Sequence, residues 1–138
     1  YNYGRYGSQT TIELENIIKE LEKAYHVFLT PTGFGAVSLC LMALCRPGDE
    51  ILVSDNVYGP TRDISSKLFP ELNIKAIFYD PNNLKDLKNK VTKKTKLIFV
   101  ENPGSITFEF QDLKEIVKIA KRKKFIQLWT TLGEHLYT

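Results

Sequence analysis

Cysteine is scarce in this chain, and the two cysteines present exclude two classes of protein. Cys40 and Cys45 lie in one apolar stretch of helical character, and their five-residue spacing puts them on different helix faces. No further cysteine or histidine pair stands at the spacing of a metal site. The sequence therefore predicts neither a disulfide scaffold nor a metal centre, and we expect both cysteines to be core residues in a reducing compartment.

Long apolar runs and targeting segments are also missing. No stretch resembles a transmembrane helix, and no signal or transit peptide is recognisable. We therefore expect no membrane association and a cytoplasmic location. The first residue is Tyr1 rather than methionine, which indicates a fragment or a processed product.

Charge is nearly balanced, with 19 Lys and Arg against 16 Asp and Glu and a net charge of +3. The basic residues cluster between Lys88 and Lys96 and between Lys118 and Lys124, and no aromatic residues alternate with them. A nucleic-acid surface would combine the two. We interpret the clusters as solvated helix faces and predict no nucleic-acid partner.

Apolar periodicity alternates between helix and strand along the chain, without repeats or low-complexity segments. The predicted helices begin near Thr10, Gly33, Pro60, Leu84 and Asp112, and the predicted strands cover residues 26–30, 51–53, 74–79, 97–100 and 125–129. The pattern predicts an α/β architecture of three layers with a mostly parallel sheet.

Two local features of this pattern allow more specific expectations. Thr10 and Glu13 have the spacing of a capping box, which is followed by apolar residues at helical spacing as far as Tyr25. The helix from Gly33 to about Cys45 is apolar nearly all round, so we expect it to be deeply buried.

The segment Thr30 to Gly35 is typical of an anion site. A short apolar strand is predicted to break at a proline and to open a helix through Gly33 and Phe34, and unpaired N–H groups at a helix start attract anions. A plain strand-to-helix turn that needs glycine for close packing explains the residues equally well. In parallel sheets ligands bind beyond the carboxyl ends of strands, which also points to residues 54–60 and 101–106.

Five segments, in this order, resemble the Cys/Met metabolism family of pyridoxal-phosphate (PLP) enzymes that includes cystathionine β-lyase. They are Tyr3-Gly4-Arg5-Tyr6-Gly7, Leu21-Glu22, Gly33-Phe34-Gly35-Ala36-Val37, Asn56-Val57-Tyr58-Gly59-Pro60-Thr61 and Glu101-Asn102-Pro103-Gly104-Ser105-Ile106-Thr107. The resemblance implies the PLP-dependent transferase-like fold and pyridoxal 5'-phosphate as cofactor.

The resemblance also assigns roles to individual residues. It implies that the backbone at Gly33 and Phe34 binds the cofactor phosphate, and that Tyr3 and Arg5 reach the phosphate bound to a neighbouring subunit. The functional unit would then be a homo-oligomer, either a dimer or a tetramer.

Two residues that follow strands receive roles at the cofactor ring. Tyr58 would stack on the ring and take part in proton transfer, although a packed tyrosine explains this residue without any ligand. Ser105 stands where many relatives have an asparagine near the ring oxygen. Glu101 is expected to be a structural partner of its loop.

Two groups that this chemistry requires are missing from the sequence. The aspartate that pairs with the pyridine nitrogen belongs to an Asp-Asn-Thr-Trp-like run, and alignment on Trp129 places it at Ile126. The lysine that forms the Schiff base belongs to a later Ser-x-x-Lys-type segment, which this sequence does not contain. We interpret residues 1–129 as a partial PLP-binding large domain and residues 130–138 as a divergent tail, as a truncated or frameshifted gene would produce.

Three functions are consistent with the sequence. The first is a transsulfuration C–S lyase of methionine biosynthesis, which cleaves cystathionine, a sulfur amino acid, to homocysteine, pyruvate and ammonia. The second is a catalytically inactive remnant of that enzyme. The third is a small phosphate- or nucleotide-binding α/β module, which the absence of a G-x-G-x-x-G or G-x-x-x-x-G-K-[ST] run disfavours.

Overall fold

The computed structural model describes residues 3–130, and the chain divides into two units, Tyr1–Ala36 and Val37–Thr138. Apart from Thr130, the predicted tail at 130–138 lies outside the described residues. None of the helices within residues 3–130 has the length and apolar character needed to cross a membrane.

The first unit contains a short 3-10 turn (Gly4–Tyr6) and helix α1 (Gln9–Leu21). The prediction of Thr10 as the cap is wrong, because the extended backbone ends at Ser8 and the box closes between Ser8 and Thr11. The Ser8 amide donates to Thr11 Oγ1 at 2.8 Å. Helix α1 also ends before Tyr25, which is 95% exposed.

The predicted strand at residues 26–30 is wrong, because this segment has no regular secondary structure. A strand exists only where its backbone pairs with a neighbouring strand. Here the Leu29 amide donates to Glu15 Oε1 at 3.3 Å, and the Thr30 hydroxyl donates to the Thr32 carbonyl oxygen at 2.9 Å. Side-chain hydrogen bonds thus replace the expected ladder.

The second unit is built on four parallel strands in the order β2-β1-β3-β4, as predicted for a mostly parallel sheet. The strands are β1 (Glu50–Ser54), β2 (Lys75–Tyr79), β3 (Thr95–Glu101) and β4 (Ile126–Thr130). Helices α5 (Leu84–Lys90) and α6 (Leu113–Lys123) and the helical segment 59–71 lie between strands. That segment comprises α3 (Gly59–Asp63), a π-helical turn (Ile64–Leu68) and α4 (Phe69–Glu71).

Both faces of the sheet are covered, which confirms the three-layer prediction. One face packs Ile51 and Phe99 against Leu41, Cys45 and Phe69. The other face packs its own apolar residues against the helices that follow β2 and β3; this second cluster consists of Leu52, Tyr79, Leu87, Ile98, Val100, Ile116 and Ala120. Continuous apolar strands such as 97–100 arise because side chains on both faces are buried.

Helix α2 (Gly33–Leu44) forms as predicted, but the expectation of deep burial is wrong for most of it. Leu41 is its only fully buried residue, whereas Leu39 is 58% and Met42 is 54% exposed. A helix of 3.6 residues per turn presents one stripe to a sheet, so apolar residues on the opposite stripe stay uncovered here.

Candidate functional site

A buried polar network joins the carboxyl ends of β1, β2 and β3. The Tyr79 hydroxyl donates to Gln111 Oε1 at 2.8 Å, and Gln111 Nε2 donates to the Glu101 carbonyl oxygen at 3.0 Å. The Glu101 amide donates to Ser54 Oγ at 3.3 Å, and all four residues are buried. Burial raises the pKa of Tyr79 well above its ordinary value, so its phenol remains a hydrogen-bond donor. Paired groups in a low-dielectric interior hold this edge of the sheet rigidly.

The side chain of Glu101 extends this network to Tyr58. The Tyr58 amide donates to Glu101 Oε2 at 3.0 Å, and Glu101 is only 2% exposed. Burial raises the pKa of Glu101, and the hydrogen bond from Tyr58 opposes that rise. Tyr58 is the N-cap residue of α3, where the helix dipole favours a carboxylate. Tyr58 as a whole residue is 50% exposed, so a held backbone carries a half-exposed aromatic residue.

The loops that follow β1 and β3 also contact each other directly. The Ser105 amide donates to the Asn56 carbonyl oxygen at 2.9 Å, and Gly104 packs against the Asn56 side chain. A Cβ atom on Gly104 would lie 2.9 Å from Asn56 Cγ, so a side chain larger than hydrogen does not fit. The structure therefore brings together two of the three loops that the sequence predicts to hold the chemistry.

Some polar atoms in this region are buried without a partner among residues 3–130. They are Nδ2 and Oδ1 of Asn56 and Oε2 of Glu109. Both side chains line a cavity of about 470 Å³, together with Asp55, Tyr79 and Asp86. Within the described range, no three His, Cys, Asp or Glu side chains are arranged to hold a metal ion.

The Gly33 loop lies in the first unit, where Thr32 organises the start of α2. Thr32 Oγ1 accepts the Gly35 amide at 2.9 Å, and the Thr32 carbonyl oxygen accepts the Ala36 amide at 3.0 Å. A Cβ on Gly35 would stand 3.0 Å from Thr32 Oγ1, whereas a Cβ on Gly33 would meet nothing within 4 Å. Close packing therefore explains Gly35, and the open space beside Gly33 suits the approach of a ligand.

Tyr3 and Arg5 are also in the first unit, and the structure brings them together. The guanidinium carbon of Arg5 lies 5.0 Å from the Tyr3 ring centroid, in a cation–π arrangement. Tyr3 is 63% exposed and Arg5 is also exposed, so the phenol and the guanidinium form one accessible pair.

Ile126 is a poor place for the acid that the alignment on Trp129 assigns to it. It lies at the amino end of β4, where it pairs with Leu97 and packs against the apolar cluster around Phe99. The carboxyl end of β4 is at Thr130, which pairs with Glu101. A ligand-facing acid is expected at that end instead.

Sequence reasoning singled out Tyr58, Ser105 and Glu101 but missed their supports. Gln111 and Tyr79 are 32 residues apart and meet only through the fold. Asn56 stood inside a recognised segment, yet its contact with Gly104 depends on two loops that are distant in sequence. The only available signals were the position of Asn56 after a predicted strand and that of Tyr79 at the end of one.

Comparison with known proteins matches the chain to one family. The model of a family described as "Cys/Met metabolism PLP-dependent enzyme" matches residues 1–130. A Saccharomyces cerevisiae protein with a provisional cystathionine beta-lyase assignment is 40% identical over 120 residues, or 87% of this chain and 35% of that protein. An L-alanine/L-glutamate racemase of Wolbachia pipientis is 30% identical over 135 residues, or 95% of this chain and 33% of the racemase.

Solved structures share the same architecture. A cystathionine gamma-lyase from Lactobacillus plantarum, crystallised with L-serine, superposes with a TM-score of 0.90 at 25% identity, covering 98% of this chain and 35% of that one. The chain thus spans about a third of the length of the relatives that it matches.

Proposed function

The chain belongs to the Cys/Met metabolism PLP-dependent enzyme family, and from that premise we propose that it carries the cofactor-binding part of a C–S lyase of the cystathionine β-lyase type. The observation that carries the proposal is the pair of loops after β1 and β3, which hold the Tyr58 backbone and leave its ring accessible. When bound, pyridoxal 5'-phosphate supplies an electron sink for a carbanion next to an amino group. The substrate would be a small sulfur amino acid.

Each unit, taken by itself, offers groups of the kind that this cofactor would need. The open side of Gly33, with the adjoining backbone of Phe34, suits a phosphate at the start of α2. Tyr58 offers a flat ring for stacking, and Ser105 offers a hydroxyl for the ring oxygen. The proposal assigns these four residues to cofactor binding.

Tyr3 and Arg5 are proposed to bind the phosphate in a neighbouring subunit. The planar guanidinium suits bidentate contact with phosphate oxygens, and the phenol adds a donor. Both side chains are accessible and lie beside each other. A homo-oligomer would then be the functional unit.

The choice of reaction is less constrained than the choice of cofactor. The relatives carry the names of a β-lyase, a γ-lyase and a racemase at similar coverage of this chain. The segment that this chain shares with these relatives therefore supports cofactor binding more directly than it supports the choice of which substrate bond is broken. The preference for cystathionine β-lyase rests on the Pro103-Gly104-Ser105-Ile106-Thr107 run.

The alternative is a catalytically inactive remnant, and the codons after Gln127 favour it. Trp129 is encoded only by TGG and Thr130 only by ACN, where N is any base. In the frame that starts at the third base of the Leu128 codon, the second triplet joins the last base of TGG to the first two bases of ACN. That triplet is GAC, an aspartate codon, whichever synonymous codons are used. The next bases permit Asn, Thr and Trp in order, so a shifted frame can encode the Asp-Asn-Thr-Trp run that this frame lacks.

The shifted frame would also put the aspartate where the fold can use it. Its codon spans those of Trp129 and Thr130, at the carboxyl end of β4 beside Glu101. Sequencing the coding DNA tests this proposal, and we expect TGG-ACA-ACA-CTT-GG from Trp129 onwards. Any other third base in the codons of Thr130, Thr131 or Leu132 would break the motif and refute the frameshift.

Cofactor binding is tested by titrating the 138-residue chain with pyridoxal 5'-phosphate and following the fluorescence of Trp129. We expect tighter binding than for unphosphorylated pyridoxal. Arg5→Ala should weaken binding by about tenfold, whereas Arg122→Ala, a matched loss of charge on α6, should not. Equal affinity for both compounds would contradict the phosphate site.

Catalysis is tested separately by borohydride reduction followed by peptide mapping. The remnant hypothesis predicts no stable cofactor adduct at a single lysine. A specific adduct at one lysine would instead support the active lyase.

A further inference from the structure

Of the groups assigned above to the cofactor, Tyr58 is the one that donates a hydrogen bond to the Glu101 carboxylate within residues 3–130. We propose that Glu101 is a positioning residue, whose carboxylate fixes the Tyr58 backbone and so sets the direction in which the Tyr58 ring faces a planar heteroaromatic ligand. This inference rests on the proposed function, and it adds a residue that acts through Tyr58 rather than on the ligand.

The Glu101 side chain has little freedom to point elsewhere. Its amide donates to Ser54 Oγ at 3.3 Å, and its carbonyl oxygen accepts Gln111 Nε2 at 3.0 Å. Hydrogen bonds on both sides of the residue hold its backbone, and only 2% of the residue is exposed. A buried carboxylate cannot leave its partner for water without moving the strand end.

Tyr58 is held at its backbone and is half-exposed as a residue. Its amide donates to Glu101 Oε2 at 3.0 Å, and its carbonyl oxygen accepts the Arg62 amide at 3.1 Å as α3 begins. With φ of −50° and ψ of 136° held at both groups, the staggered χ1 rotamers offer the ring only a few directions. No side chain caps α3 at this residue, so the Glu101 carboxylate supplies the negative group at the helix start.

A purely structural carboxylate would stabilise the chain without changing how Tyr58 meets a ligand, and matched variants separate the two roles. Glu101→Ala removes the acceptor. Glu101→Gln keeps an acceptor oxygen at the same length. Glu115→Ala is the control and removes a half-buried carboxylate of α6 that pairs with Lys118. If Glu101→Ala does not fold, Glu101→Asp takes the place of the alanine variant in the comparison, because the shorter side chain withdraws the acceptor oxygen by about 1.5 Å.

Two measurements on the 138-residue chain test the proposal. Without ligand, amide hydrogen exchange at Tyr58 should accelerate at least about tenfold in Glu101→Ala and stay native-like in Glu101→Gln and Glu115→Ala. The affinity for pyridoxal 5'-phosphate should fall by about tenfold in Glu101→Ala and stay native-like in Glu101→Gln and Glu115→Ala.

Each outcome is decisive. Unchanged Tyr58 exchange in Glu101→Ala, or no rescue by glutamine, overturns the inference. Faster exchange with unchanged cofactor affinity also overturns it, because the role would then be structural. If the native chain binds no cofactor, the proposed function fails, and the positioning role of Glu101 is then tested by NMR without ligand. The chemical shifts of the Tyr58 ring protons must change in Glu101→Ala and stay native-like in Glu101→Gln.

Discussion

Gly104→Ala should destabilise the second unit through a steric conflict between its two site loops. Gly104 does not have a positive φ, so alanine brings no backbone strain. The new Cβ would lie 2.9 Å from Asn56 Cγ and 3.0 Å from Asn56 Cβ, and closer still to Nδ2. Asn56 cannot simply withdraw, because its carbonyl oxygen accepts the Ser105 amide and its side-chain amide is buried.

The expected cost follows from these contacts. Overpacking a close-packed site costs about 1–3 kcal/mol, and weakening the bond from Ser105 to Asn56 adds about 1 kcal/mol. The free energy of unfolding should therefore fall by about 2–4 kcal/mol, measured by urea denaturation with circular dichroism.

Two further variants make this prediction specific. Gly4→Ala is the control, since a Cβ there meets nothing within 4 Å and Gly4 does not have a positive φ, and it should leave stability unchanged or slightly higher. Asn56→Gly, introduced into Gly104→Ala, removes the clashing atoms and should recover more than half of the loss. Equal stability of the two alanine variants, or no recovery in the double variant, would refute the reasoning.

Three further predictions concern burial. Leu41→Ala should cost about 2–5 kcal/mol in urea unfolding, whereas Leu39→Ala, at an exposed position, should cost less than about 0.5 kcal/mol. Burial raises the pKa of Cys45 to about 11, so iodoacetamide at pH 8 should label Cys40 well before Cys45 by mass spectrometry; equal rates would contradict burial. Burial also raises the pKa of Glu101 above its ordinary value of 4.5. The contribution of Glu101 to stability is therefore present below about pH 4.5 and is lost as the pH rises through the folded-state pKa. Glu101→Gln should therefore lose less stability than the native chain over that pH interval. Guanidinium unfolding at a series of pH values measures this, and the same pH dependence of the unfolding free energy in both chains would contradict it.

Local patterns predicted most of the second unit. Continuous apolar runs marked β1 and β3 because both faces of a parallel sheet are buried, and Asp112 marked the start of α6, where its side chain accepts the Glu115 amide. The first unit was harder to predict. Residues 26–30 have the apolar character of a strand, but a strand also requires a partner, and no local pattern reports whether one is available.

The candidate site divides in the same way. The glycines, Tyr58 and Ser105 were visible as residue types after predicted strands, whereas the contacts of Glu101 with Tyr58 and of Asn56 with Gly104 were not. Each of these contacts joins loops more than 40 residues apart, and their register follows from the pairing of β1 with β3.

The sequence by itself determined the family, the alternation of helix and strand, and the residue types at the strand ends, because these depend on local order and periodicity. Only the tertiary structure decided which carboxylate meets which amide, which apolar helix face stays uncovered, and that Ile126 lies at the wrong end of its strand for an acid. Those outcomes depend on strand order and register, which arise when distant segments pack and which no short stretch of residues encodes.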